Sequence, residues 1–109
     1  MSVSYPNPGL PQVGNDVVST VTATTSNIVL LAANSSRAPE CLIVNNSNKN
    51  MWVTFTGVAA VAASPAIKIP ASGGTMDIPG SFTGAVNAIW ETSIIPITGS
   101  AVVHEFSYL

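Results

Sequence analysis

The groups in this chain that could do chemistry are few: one imidazole, His104; one thiol, Cys41; and five carboxylates, Asp16, Glu40, Asp77, Glu91 and Glu105. A Ser–His–Asp relay can be written with His104, Asp77 and any of the many serines, but no Gly-x-Ser-x-Gly turn is present to hold a nucleophile exposed. A Cys41–His104 pair would need an accessible thiolate, whereas Cys41 opens the apolar run Cys41-Leu42-Ile43-Val44. The acids sit in different segments and lack calcium-loop spacing. A carboxylate pair for glycoside cleavage could arise only through the fold. One His and one Cys make no zinc pattern. Gly73-Gly74 lacks the Lys and the following helix of a phosphate loop. The expectation is a protein without catalytic residues, bound metal or cofactor. His104, beside Val102 and Phe106, reads as a partly buried, hydrogen-bonded structural residue.

The two tryptophans need separate readings. Trp90, in Ala85-Val86-Asn87-Ala88-Ile89-Trp90, reads as core or rim packing. Trp52 falls among hydroxyl residues and serves either as an anchor in a protein interface or as a platform on which a sugar stacks. No second aromatic or polar cluster adjoins it in sequence, which favours the interface.

What must position these residues is a set of short strands. Glu40–Thr56 carries two runs rich in β-branched and aromatic residues around Ser47-Asn48-Lys49-Asn50, the pattern of a β-hairpin. With Asn46 opposite Met51, Leu42, Val44, Met51, Val53 and Phe55 share a core face. Cys41, Ile43, Asn45, Trp52, Thr54 and Thr56 then share a mixed, half-covered one. Upstream, Asp16–Thr25 and Ile28–Ala33 read as strands separated by Ser26-Asn27. Downstream, Ala66–Ile69, Thr75–Ile78, Ala85–Glu91 and Ser100–Tyr108 do the same, punctuated by Pro and Gly turns. Along the last of these, Val102, His104, Phe106 and Tyr108 share one face. Gly57–Ser64 has no capping box and reads as a loop, with a single helical turn as the alternative. Roughly seven or eight short strands make an all-β protein, a single-domain antiparallel β-sandwich of jelly-roll-like or Ig-like topology, over residues 16–109.

Residues 1–15 differ in kind. Pro6, Pro8 and Pro11 with Gly9 and Gly14 favour extended, unpaired backbone. This segment is either a solvated tail or an arm lying on a neighbouring subunit through Tyr5, Leu10 and Val13.

Composition narrows the partners. Charged residues are 7% of the chain, against roughly 25% in an ordinary soluble domain. The polar surface must be Ser, Thr, Asn and Gly, which does not keep copies apart by charge and suggests an assembled protein. Arg37, Lys49 and Lys68 are the only fixed cations, scattered through a chain of net charge −2. That argues against nucleic acid and against an anionic membrane surface. No apolar run approaches the ~18 residues of a membrane span. The start has neither a basic nor an apolar signal region, so a secretory leader is not expected.

The order Leu30-Leu31-Ala32-Ala33-Asn34, Ser35-Ser36-Arg37, Leu42-Ile43-Val44-Asn45-Asn46 and Met51-Trp52-Val53-Thr54-Phe55 resembles small virion proteins of tailed bacteriophages. So do Gly73-Gly74, Phe82-Thr83-Gly84-Ala85-Val86-Asn87-Ala88-Ile89-Trp90 and Gly99-Ser100-Ala101-Val102-Val103-His104-Glu105. The resemblance implies a β-sandwich made in the host cytoplasm and built into the virion, as a capsid decoration (cement) protein or a fibre, tail or baseplate part. Implied partners are copies of itself, as a trimer, and the major capsid protein. Arg37 matches a basic position of structural, hydrogen-bonding character. The candidate interface residues are Tyr5, Leu10, Val13, Ile43 and Trp52. The competing expectation is a carbohydrate-binding β-sandwich that uses Trp52 or Trp90 for host attachment.

Overall fold

The computed structural model describes residues 13–14, 16–55, 60–62 and 66–109. Its eight strands are β1 (Val17–Thr22), β2 (Ile28–Leu31), β3 (Leu42–Ser47), β4 (Met51–Thr54), β5 (Ile67–Ile69), β6 (Gly74–Asp77), β7 (Val86–Trp90) and β8 (Gly99–Glu105). β1, VVSTVT, is dense in β-branched residues, whose stiff side chains pack well on a pleated surface, while β6, GTMD, has only Thr75. The strands form two antiparallel four-stranded sheets. Sheet 1 has the order β1-β8-β3-β6 and sheet 2 the order β2-β7-β4-β5. The all-β sandwich read from the sequence is the observed architecture. Its nested pairing, first strand with last, second with seventh, third with sixth and fourth with fifth, is that of a jelly roll rather than an Ig domain.

The predicted hairpin is not formed. β3 belongs to sheet 1 and β4 to sheet 2, so Ser47–Asn50 turns a corner between the sheets and pairs nothing across itself. The physical consequence is an inverted face. Strands in different sheets share no cross-strand register, so each chooses its inward side independently. On β4, Met51 and Val53 point inward, as the hairpin register requires. On β3 the inward residues are Ile43, Asn45 and Ser47, with Cys41 just before them, while Leu42 and Val44 face outward and are half-buried. Ile43, an expected interface residue, is therefore in the core at 0% exposure.

The core between the sheets is closed by Ile43, Met51, Val53, Ile69, Val86, Trp90 and Val103, with Leu30, Leu31, Ala88 and Ala101 around them. Burying each larger side chain contributes ~1.5–3 kcal/mol relative to leaving it in water.

Most of the predicted arm, Tyr5 and Leu10 included, lies outside the described residues, as do 57–59 and 63–64 of the predicted loop. Val13 and Gly14 are described. Val13 forms an isolated antiparallel bridge with Tyr108, and the Gly14 N–H donates to the Ser107 carbonyl at 2.7 Å.

Candidate functional site

The fold parts the thiol from the imidazole and pairs the imidazole with one carboxylate. His104 lies on the outer face of sheet 1, where its Nδ1 is 2.8 Å from Oδ2 of Asp16 and both side chains are about one-third exposed. Cys41 is inside the sandwich at 0% exposure, its sulfur accepting the Phe106 N–H at 3.2 Å and lying 3.2 Å from the Ala38 carbonyl. Thiol and imidazole are thus on opposite sides of one sheet. Asp77 and His104 both stand opposite Leu42, on strands flanking β3. That separates them by two strand spacings, about 9.6 Å, too far for a relay. Asp16 is the partner that sequence reasoning missed. The first and last strands pair, and only that topology brings the two residues together.

Two polar hubs hold opposite ends of β3. Before it, Arg37 is buried and each of its three guanidinium nitrogens is engaged. Nε donates to Oε2 of Glu105 at 2.8 Å, one terminal nitrogen to the carbonyls of Gly84 at 2.8 Å and Phe82 at 3.3 Å, and the other to the Ala32 carbonyl at 2.7 Å. A planar fork with several donors suits this task as no Lys could. Arg37 therefore has the structural, hydrogen-bonding role that the resemblance implies. At the other end, the Asn45 amide nitrogen, with two protons, serves three carbonyls: Lys49 at 2.8 Å, Ile69 at 3.0 Å and Pro70 at 3.1 Å. Its Oδ1 accepts from the Trp90 indole at 3.1 Å and lies 2.7 Å from Ser47 Oγ. Asn48 brackets a neighbouring loop, donating to Pro96 O at 2.9 Å and accepting from Thr98 N–H at 2.8 Å. Asn50 accepts from Ala71 N–H at 3.0 Å. The Asn cluster that looks like ordinary turn chemistry is a set of side chains standing in for backbone partners at the corner.

The surface these hubs support is where a partner can act. The outer face of sheet 1 carries rows of facing residues across its strands: Val18, His104, Leu42 and Asp77, then Thr20, Val102, Val44 and Thr75. Val18 is exposed, and Leu42, Val44 and Val102 are each half-covered. The face is apolar and hydroxyl-bearing, with charge confined to one row. On sheet 2, Trp52 faces outward between Lys68 and Ile89. It is half-buried, and its indole nitrogen is covered yet finds no acceptor among the described residues. Trp90 is 1% exposed, which closes its ring to any ligand.

No family model matches the chain, and no curated protein does. A solved protein of the Bacillus endospore appendages that "form a novel family of disulfide-linked pili" superposes with a TM-score of 0.55 at 15% identity, over 100% of this chain and 99% of that one. The likeness is one of fold.

Proposed function

We propose that this chain is a non-enzymatic structural subunit that works by associating with copies of itself and with a larger protein shell, most concretely as a capsid decoration protein of a tailed phage virion. The observation that carries the reading is the outer face of sheet 1. Leu42, Val44, Val102 and Val18 are held out to solvent among threonines by a rigid sandwich that keeps its thiol on the opposite side of the sheet from its imidazole. Such a face has little to repel a second copy and offers apolar contact and hydroxyl hydrogen bonds. The phage-protein resemblance supplies the virion and the major capsid protein as setting and partner. The fold likeness to a pilus protein supports the subunit role more generally. Disulfide linkage does not carry over, because the one cysteine, Cys41, is closed off inside the core.

The test is the solution mass by light scattering across ionic strength, followed by co-sedimentation with empty phage heads. A multimer stable to salt that binds heads is expected, since exposed charge contributes so little. Dissociation at moderate salt, or a monomer that ignores heads, counts against it. A fibre or tail component would use the same contacts, and electron microscopy of the concentrated protein tells closed particles from filaments.

A further inference from the structure

Each sheet has two edges, and the four edge strands are not alike. β2 has four residues and a register shift between Val29 and Leu31. β5 has three residues, carries Lys68 and runs into Pro70. β6 has four and ends at Asp77, shortly before Pro79. Short length, irregular register, charge and proline are the devices by which sheet edges are made unattractive to other strands. β1 has none of them. It is six residues long, Val17-Val18-Ser19-Thr20-Val21-Thr22, without charge, proline or glycine and in unbroken register with β8.

The ladder shows which backbone groups this edge presents. The Ala23 N–H donates to the Gly99 carbonyl at 3.1 Å, one step beyond the Thr22–Ser100 pair. By the alternation of antiparallel ladders, Val21, Ser19 and Val17 also turn their N–H and C=O groups toward β8, so those of Val18, Thr20 and Thr22 point away from the sheet. No described residue takes them.

We propose that β1 is a self-pairing edge. Two copies join β1 to β1, antiparallel, about a two-fold axis at Thr20, so that two four-stranded sheets become one of eight strands. The spacing fits. With Thr20 opposite Thr20 of the second copy, Val18 faces Thr22 and Thr22 faces Val18, and every outward group in the strand is paired. Val–Thr and Thr–Thr contacts are favourable cross-strand neighbours. Asp16, the one charge at the strand's end, comes opposite Thr24 of the second copy rather than opposite itself. A two-fold contact uses the same patch on both partners, so the copy number is even, and a trimer occurs only as a pair of trimers. This inference deepens the self-association proposed above and rests on it.

The test compares the solution mass of the wild type with Thr20→Lys, Thr20→Glu, an equal mixture of the two, and Thr20→Ser. Thr20 is exposed on the outer face, so the variants keep the fold, which an unchanged far-ultraviolet circular dichroism spectrum verifies. The wild type and Thr20→Ser are expected at an even multiple of 11.2 kDa. Each charged variant halves that mass, because like charges meet at the axis, and the mixture restores it. Independently of any variant, amide exchange at Val18, Thr20 and Thr22 slows in the wild-type assembly relative to the diluted protein. Unchanged mass in both charged variants overturns β1 pairing while leaving self-association standing, and so does a lone trimer. A wild-type monomer at every concentration overturns both. Protection of the three amides in a monomer, by residues 1–12 of the same chain, also overturns the pairing.

Discussion

The indole N–H of Trp90 donates to Oδ1 of Asn45 at 3.1 Å in the interior of the sandwich, tying β7 of one sheet to β3 of the other. Asn45 is 0% exposed and every part of its amide is engaged. Removing it strands a buried donor and several carbonyls at once. Asn45→Ala should destabilise the fold by about 3 kcal/mol, more than one ordinary hydrogen bond, because unsatisfied buried groups each cost roughly 1–3 kcal/mol. Urea unfolding followed by Trp fluorescence measures it, and a loss under about 1 kcal/mol would show the network to be dispensable.

Arg37 and Glu105 form a pair whose arginine side chain is 1% exposed. Arg37→Met leaves a largely covered carboxylate and the carbonyls of Ala32, Phe82 and Gly84 without their donor. The expected loss is about 3–5 kcal/mol. Arg37→Lys should recover little, since an ammonium cannot reach four acceptors in one plane. The double change Arg37→Met with Glu105→Leu should recover part of the loss, and a double-mutant cycle reads the coupling.

Gly99 and Gly73 both have φ near +100° and differ in surroundings. A Cβ on Gly99 would lie 2.4 Å from the Asn46 carbonyl oxygen, whereas one on Gly73 meets nothing within 4 Å. Gly73→Ala should cost only the backbone strain, roughly 1–3 kcal/mol. Gly99→Ala should cost clearly more, because β3 itself must move. Thermal midpoints of the two variants, compared directly, test the order.

The Cys41 thiol should be silent toward a soluble disulfide reagent in the native protein and react at once in denaturant. Non-reducing gels of the assembled protein should show the monomer band alone. Rapid native labelling would mean that the end of the sandwich near Ala38 and Phe106 opens readily.

Strand positions were legible in the sequence because β-branched runs bounded by Pro, Gly and Asn report local preference directly. β4 has the inward face, Met51 and Val53, that its alternation suggests. The β3–β4 relationship was not legible. A short polar loop between two strands is the same signal whether they pair or part into different sheets, and only the nested topology decides. Asn45 shows the cost of that ambiguity. A polar residue argues for an outward face until the carbonyls that satisfy it are known, and those belong to residues 49, 69 and 70. Ile43 lies inward for the same reason. The resemblance implies a structural Arg37 but not its partner Glu105, because no local pattern connects positions 68 residues apart.

The position of β8 has a consequence for biosynthesis. This strand fills the gap between β1 and β3, so until residues 99–105 leave the ribosome those two have no common neighbour. Sheet 2 can begin earlier, from the β4–β5 ribbon outward, but half of the sandwich waits for β8 to emerge. A nascent chain held back at its last strand would display unsatisfied strands to its neighbours on the polysome. Burdening β8 with a bulky insertion just after residue 109 should therefore slow maturation far more than an equal burden on the loop between β7 and β8.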